Sequence, residues 1–147
     1  MRIKKFPKMH LYKLKNNGHL YRQASSFHHF GIRALDSFYF SAQQLEACRK
    51  SLMRLLKLDA EVQQSSFAKN VSRLVKVCFY PDFSLTRKPK ESRMGKGKGT
   101  VSSYYFPINC GRLLFEFQFI SLRIARRCTR LISYKLATNV RLVSLKY

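Results

Sequence analysis

The sequence predicts an α+β domain in which two helices pack on a mostly antiparallel sheet. A basic extended arm precedes the domain, and a long glycine- and lysine-rich loop interrupts it. Three observations predict this class: two segments with apolar residues at helical spacing, several short segments rich in β-branched and aromatic residues, and turn-forming residues between them. The 147 residues suffice for one core and are too few for two. We expect the arm to span residues 1–29 and the single domain residues 30–147.

Net charge points to the kind of partner. The chain has 29 lysines and arginines against 7 aspartates and glutamates, a formal net charge of +22. No carboxylate precedes Asp36 and none follows Glu116, so both ends are purely cationic. A hydrophobic content of 46% and an aromatic content of 14% are typical of a folded domain and not of a disordered basic tail. A folded domain with this charge is expected to bind a polyanion.

The first half of the chain predicts an arm, a strand and a helix. Residues 1–29 show little periodicity and contain the turn-forming run NNG, so we predict an extended arm, with a disordered tail as the alternative. FGIRALD, residues 30–36, is consistent with a strand. Ser41 and Gln44 then form a capping box that opens a helix over residues 41–58. Its apolar face comprises Leu45, Cys48, Leu52, Leu55 and Leu56.

The middle of the chain alternates short strands with loops. Residues 59–70 are polar and predict a loop or insertion, and LVKVCFY predicts a strand with Val75, Val77 and Phe79 on one face. Residues 83–99 lack an apolar period and contain Pro89 and Gly95, which predicts a long loop.

Two strands and a turn are predicted next. Residues 100–108 and 112–120 flank Asn109–Gly111, which reads as the turn of a hairpin. In the second strand Phe115, Phe117 and Phe119 would share one face.

The last helix, SLRIARRCTRLISYKL, separates apolar from cationic residues. At 100° per residue, about half of its circumference is apolar: Leu122, Ile124, Ala125, Cys128, Leu131, Ile132 and Leu136. The opposite side groups four arginines, called here the arginine comb: Arg123, Arg126, Arg127 and Arg130. Because no acid intervenes, we favour a phosphate-binding face over an ordinary solvated one.

The run RMGKGKG does not fit a nucleotide-binding loop. A Walker A loop needs Ser or Thr after Gly-Lys, whereas glycine follows here, and a dinucleotide fingerprint needs different glycine spacing and a helix after it. We predict a cationic finger whose glycines let the backbone approach phosphates, with a functionless polar loop as the alternative. Its charge comes from Arg87, Lys88, Lys90, Arg93, Lys96 and Lys98.

Other function classes receive little support. The four cysteines lack zinc-site spacing and read as small buried residues, so we expect no metal and no cofactor. All four histidines lie in the arm, and no catalytic motif is present, which argues against an enzyme. The run LLFEFQFISL is too short to span a bilayer, and the N-terminal residues lack the apolar region of a secretory signal.

Five segments taken in order resemble the bacterial-type large-subunit ribosomal protein L-sixteen family, universal uL-sixteen: KMH, FG, SAQQLEACRKSLMR, FYPDFSLTRKPKESRMGKGKG and GRLLFEF. The most specific motif is P-x-x-x-x-T-x-K-P-x-x-x-R-M-G-K-G-K-G from Pro81 to Gly99. The resemblance implies an α+β structural protein of the large subunit that binds ribosomal RNA beside the aminoacyl-tRNA (A) site. It also implies that the loop reaches toward the peptidyl transferase centre, and that the protein joins late in subunit assembly.

The charge pattern and the resemblance together predict the binding residues, with the arginine comb resting on the helical pattern alone. The ribosomal-RNA set comprises Lys4, Lys5, Lys8, His10, Lys13, Lys15, Arg22, Arg49, Arg54 and the arginine comb. The set near tRNA and the peptidyl transferase centre comprises Arg87, Lys88, Lys90, Arg93, Met94, Gly95, Lys96, Gly97, Lys98 and Gly99. Implied partners are large-subunit ribosomal RNA, A-site tRNA and neighbouring ribosomal proteins, without membrane insertion.

Departures from the family pattern suggest an organelle. Residues 59–72 are longer than the usual link between helix and strand, and FISLRIARR replaces the acidic, proline-containing opening of the last helix. Together with the Phe, Tyr and Lys bias and the absence of a presequence, this resembles an organelle-encoded mitochondrial member, with a plastid as the alternative. Two other classes stay open: a non-ribosomal RNA chaperone or single-strand binder, and a membrane-surface protein that uses helix 121–137 on anionic lipid.

Overall fold

The computed structural model describes residues 8–11, 13–14, 30–59, 68–136 and 138–144. Most of the predicted arm therefore lies outside the described residues, including Lys4, Lys5, Lys15 and Arg22. The same holds for residues 60–67 of the predicted insertion.

The described elements are two α-helices, a short 3-10 helix and seven strands. In chain order they are β1 (Phe30–Ala34), β2 (Phe38–Ser41), α1 (Ala42–Leu58), the 3-10 helix (Ala68–Leu74), β3 (Val75–Val77), β4 (Phe83–Arg87), β5 (Thr100–Ile108), β6 (Leu113–Phe117), α2 (Leu122–Leu136) and β7 (Val140–Ser144). The strands form two antiparallel sheets, ordered β3-β6-β1-β7 and β2-β5-β4. Because α1 packs on α2, and α2 contacts β1 and β7, the predicted α+β class is confirmed.

The predicted hairpin over residues 100–120 is wrong. The turn itself forms, since Gly111 has a φ of +80° and the Arg112 N–H donates to the Asn109 carbonyl at 3.2 Å. However, β5 pairs with β2 and β4, whereas β6 lies between β3 and β1 in the other sheet. All five residues of β6 are buried, so its backbone N–H and C=O groups need hydrogen-bond partners on both edges, and turn chemistry cannot specify which strands supply them.

The predicted loop over residues 83–99 is wrong in its first five residues. Phe83–Arg87 forms β4, which pairs with β5 from Phe83 opposite Tyr105 to Arg87 opposite Thr100. Its pattern is inverted, because Ser84 is buried at 4% exposure while Leu85 is 45% exposed. A polar residue inside and an apolar residue outside remove the alternation that predicts a strand. The loop proper is residues 88–99.

Helix α1 follows the prediction. The Gln44 N–H donates to Ser41 Oγ at 3.1 Å, and the Ser41 N–H donates to Gln44 Oε1 at 3.0 Å, so the capping box is complete. Four of the five predicted core residues are buried, and Leu55 is half-buried: the buried set is Leu45, Cys48, Leu52 and Leu56.

Helix α2 also buries its predicted apolar face, except at its start. Leu122 is 44% exposed, because the side chain of the first helical residue points back beyond the helix end. Leu131 is half-buried, and the fully buried residues are Ile124, Ala125, Cys128, Ile132 and Leu136.

Three details of the strands differ from the prediction. The strand at LVKVCFY covers only Val75–Val77, although Phe79 beyond it is buried. Phe119 lies outside β6, has a φ of +50° and is 60% exposed, so it does not share the buried face of Phe115 and Phe117. Strands β2 and β7 were not predicted; β2 pairs with β5, and β7 completes the four-stranded sheet by pairing with β1.

One carboxylate lies inside the four-stranded sheet. Glu116 of β6 is 3% exposed, faces Gly31 of β1 and Lys76 of β3, and forms an ion pair with the Lys76 ammonium at 3.3 Å. This pair supplies a cation for a charge that would otherwise be costly to bury.

The cysteines are unpaired thiols, and the predicted burial holds for only two of the four. Cys48 and Cys128 are buried, while Cys78 and Cys110 are half-buried.

Candidate nucleic-acid interface

The loop of residues 88–99 leaves the three-stranded sheet through a tight base. Gly99 packs against the backbone of β4, where a Cβ atom would lie 2.6 Å from the Arg87 carbonyl oxygen and 2.9 Å from the Lys88 nitrogen. Only glycine permits this approach without displacing main-chain atoms. The base of the loop is therefore set by one residue of the GKGKG run.

Inside the loop the backbone is left-handed over three residues in succession. The φ angles are +95° at Gly95, +53° at Lys96 and +79° at Gly97. Lys96 adopts a conformation that costs an L-residue about 1–2 kcal/mol. The Lys88 ammonium stabilises this segment by donating to the Gly95 carbonyl at 2.7 Å.

The arm crosses the base of the loop and is tied to it reciprocally. The Lys8 ammonium donates to the Lys98 carbonyl at 2.9 Å, and the Lys98 ammonium donates to the Met9 carbonyl. The Met9 N–H donates to the hydroxyl of the buried Ser84 at 3.1 Å. Two segments about ninety residues apart thus form one surface, called here the arm–loop surface: residues 8–11, 13 and 88–99 with Arg87.

The cations of the arm–loop surface divide into two groups. The ammonium groups of Lys8, Lys88 and Lys98 bind backbone carbonyls and position the loop. The side chains of the others are exposed, and no hydrogen bond or ion pair joins them to the described part of the chain: Arg87, Lys90, Arg93 and Lys96. His10, Lys13 and the 97%-exposed Met94 extend this face. The number of charges in the sequence does not show which lysines bind carbonyls inside the protein. It also gives no sign that the Ser84 hydroxyl holds the arm.

On α1, one predicted RNA-binding cation already has an anionic partner. Arg49 forms two hydrogen bonds to the Glu46 carboxylate, at 2.9 and 3.0 Å, and Lys50 lies 3.7 Å from the same group. The Arg49 hydrogen bond holds the pKa of Glu46 below its ordinary value and raises the pKa of Arg49. Arg54 is exposed on the same helix.

On α2 all four arginines of the comb are exposed, opposite the buried face. Arg127 binds Asp59 at the end of α1 at 3.1 Å, whereas no carboxylate of the described residues pairs with Arg123, Arg126 or Arg130. Because the apolar face of α2 is buried against the domain, it is not available to insert into lipid. The membrane-surface alternative for this helix is therefore not supported.

The described residues contain no group of three His, Cys, Asp or Glu side chains that could hold a metal ion. Neither α1 nor α2 combines the length and apolar character needed to cross a bilayer, and no other described helix does.

Comparison with known proteins decides the family. The family model described as Ribosomal protein L16p/L10e matches residues 1–143. The chain belongs to this ribosomal protein family. The chain is 30% identical to the large ribosomal subunit protein uL16 of Thermosipho melanesiensis over 142 residues, 93% of this chain and 91% of the relative. It is 35% identical to uL16 of Allorhizobium ampelinum over 118 residues, covering 80% and 77% of the two chains. It is 31% identical to uL16c of Cyanidium caldarium over 141 residues, which cover 95% of this chain and 90% of the relative.

Membership of this family establishes the general function of the protein. The protein is a structural constituent of the large ribosomal subunit and not an enzyme, and its partners are ribosomal RNA and ribosomal proteins. Its relatives include bacterial and plastid forms.

Proposed function

We propose that the arm–loop surface binds ribosomal RNA beside the A site of the large subunit, with the loop directed toward the tRNA and the peptidyl transferase centre. The observation that carries this proposal is the reciprocal tie between the arm and the loop, in which the Lys8 ammonium donates to the Lys98 carbonyl and the Lys98 ammonium donates to the Met9 carbonyl. It joins the cationic arm to the glycine-lysine loop, so that both present charge to one polyanion.

The chemistry of the loop suits crowded phosphates. Arg87, Lys90, Arg93 and Lys96 extend from the loop and its base, and Glu91 is the only carboxylate among residues 87–99. Gly95 and Gly97 have no side chain to keep phosphates away from the backbone N–H groups. A loop already held by three lysine–carbonyl hydrogen bonds loses less conformational entropy on binding than an unrestrained one.

The arginine comb and Arg54 would bind ribosomal RNA on a second surface. The loop emerges from the three-stranded sheet, whereas α2 packs on α1 and on the four-stranded sheet. A protein that contacts RNA on two surfaces requires both RNA segments to be folded, which is consistent with entry late in subunit assembly.

Ultraviolet crosslinking of the native protein, followed by sequencing of the attached RNA, tests this function. We expect discrete crosslinks near the peptidyl transferase centre and to tRNA. Crosslinks spread over many transcripts would instead support a general RNA chaperone and overturn the proposal.

A charge variant tests the loop itself. Lys96→Glu is expected to slow elongation or lower the yield of mature subunits, while the matched control Lys135→Glu, an exposed lysine of α2 outside both proposed sets, is expected to leave them near normal. Lys96 is the better target than Lys98, whose ammonium is used inside the protein. Normal elongation and normal subunit yield in Lys96→Glu would refute the role of the loop.

For the compartment, we propose a mitochondrial ribosome, as an organelle-encoded member of the family. The Phe, Tyr and Lys bias and the basic FISLRIARR segment support this. Mass spectrometry of ribosomes purified separately from mitochondria and from plastids is the test. Recovery of its peptides only from plastid ribosomes would overturn the proposal.

A further inference from the structure

A groove runs between α2 and the final strand β7. It has a volume of about 410 Å³. Helix α2 and β7 line it with Arg126, Thr129, Arg130, Ser133, Tyr134, Val140 and Leu142. The volume lies within the range of about 300–1,000 Å³ that is typical of small-ligand sites, so the groove is large enough to hold a single nucleotide.

The lining has three chemically different parts. Arg126 and Arg130 are exposed and lie one helical turn apart on the same face, so both guanidinium groups can reach one stretch of phosphate backbone. Val140 and Leu142 are half-buried and form the apolar part. Tyr134 is 80% exposed and lies one turn beyond Arg130, so its ring is largely uncovered by the described residues.

We propose that this groove holds one unpaired nucleotide of large-subunit ribosomal RNA, with its base stacked on Tyr134 and the adjoining phosphate bound by Arg126 and Arg130. The inference rests on the proposed function and names the ligand of one part of the comb. Unpaired bases are the usual targets of sequence-specific RNA recognition, and aromatic rings are their usual platforms. The hydroxyl group of Ser133 lies in the same lining and can bind the edge of a base or a ribose hydroxyl.

A protein segment fits the groove less well. Two arginines without a carboxylate partner among the described residues call for an anion, and a strand added beside β7 would use the backbone edge of the sheet and leave the Tyr134 ring without a contact. An RNA strand supplies the phosphate and the flat base together.

The test uses large subunits that contain the protein with single substitutions at Tyr134, probed chemically at each nucleotide of the ribosomal RNA. Tyr134→Ala should make one or a few nucleotides reactive and weaken binding of the full chain to that RNA about 5- to 150-fold, the range for loss of one stacked base. Tyr134→Phe should keep the protection, whereas Tyr134→Leu, which is apolar but not flat, should lose it. Lys135→Ala, the neighbouring exposed residue of α2 outside the groove, is the matched control.

The phosphate contact has its own readout. Substituting both arginines, Arg126→Gln with Arg130→Gln, should lower the slope of log binding constant against log salt by about 0.7–0.9, because the two guanidinium groups share one phosphate and each neutralised phosphate contributes about that much.

The outcomes separate the two proposals. If the protein does not crosslink to large-subunit ribosomal RNA at all, the proposed function fails. If it crosslinks through the arm–loop surface while Tyr134→Ala changes no nucleotide, only the stacking site is refuted. If Tyr134→Ala instead abolishes a crosslink to a neighbouring ribosomal protein, the groove binds protein and the inference is wrong.

Discussion

Replacing Gly99 by alanine tests how closely the base of the loop is packed. The added Cβ would lie 2.6 Å from the Arg87 carbonyl oxygen, 2.7 Å from its carbon and 2.9 Å from the Lys88 nitrogen. All three are backbone atoms, so no side-chain rotation can relieve the contact. The strands β4 and β5 must separate where Arg87 faces Thr100.

The magnitude follows from this geometry. Restoring an ordinary contact of about 3.4 Å requires a main-chain shift of somewhat less than 1 Å, and overpacking of this kind costs about 1–3 kcal/mol. That is a substantial part of the roughly 5–15 kcal/mol that stabilises a typical domain. We expect the free energy of unfolding to fall by about 1–3 kcal/mol.

The assay is urea unfolding of the full chain in about 0.5 M KCl, which screens the repulsion among its cations. Hydrogen exchange at the amides of residues 100–103 reports the separation of β4 from β5. The matched control is Gly97→Ala, where nothing lies within 4 Å but the φ of +79° strains an alanine locally. Gly97→Ala should cost about 1 kcal/mol without faster exchange at the base of the loop.

Two results would refute the reasoning. One is a loss of less than about 0.5 kcal/mol in Gly99→Ala, which is the ordinary range for surface substitutions. The other is equal exchange rates in the two variants, since only Gly99→Ala is expected to disturb the pairing of β4 with β5.

Three further predictions concern stability. Ser41→Ala removes the hydroxyl that caps α1 and should lower the free energy of unfolding by about 0.5–2 kcal/mol in urea, with Ser41→Asp largely restoring it. Lys76→Met should cost about 1–3 kcal/mol in the same assay, because the buried Glu116 carboxylate loses its cation, and Lys76→Met with Glu116→Gln should recover part of the loss. Burial raises the pKa of three thiols above the ordinary 9.0. As pH rises above 9, the unfolded chain therefore releases these protons before the folded chain does, so the contribution of the thiols to the free energy of unfolding is complete below pH 9 and should fall as pH rises toward 11–12. Urea midpoints between about pH 8 and 10 measure this loss. The pKa values are about 11 for Cys48 and about 12 for Cys78 and Cys128.

Each of these has a contradicting result. Ser41→Ala with an unchanged urea midpoint would mean that the cap contributes nothing. An unaltered Lys76→Met midpoint would mean that other groups stabilise Glu116 sufficiently. For the thiols, rapid alkylation of Cys128 in the native protein at pH 8 would show that it is not buried.

Features that depend on neighbours a few residues apart are predictable from the sequence. The capping box at Ser41 and Gln44 needs only a spacing of three, and the division of α2 into a buried face and an arginine comb needs only the helical period. The same local patterning makes the motif from Pro81 to Gly99 recognisable, and the family match over residues 1–143 agrees with it.

Only the tertiary structure decided which segments are partners. The turn at Gly111 predicts a change of direction but not that β5 and β6 enter different sheets, because the strands that pair with the buried backbone of β6, β1 and β3, lie far from it along the chain. Lys96 and Lys98 are indistinguishable in GKGKG, yet Lys98 binds the Met9 carbonyl across 89 positions and Lys96 extends outward. A lysine side chain finds its acceptor in space, and spacing along the chain carries no information about an acceptor that folding brings from so far away.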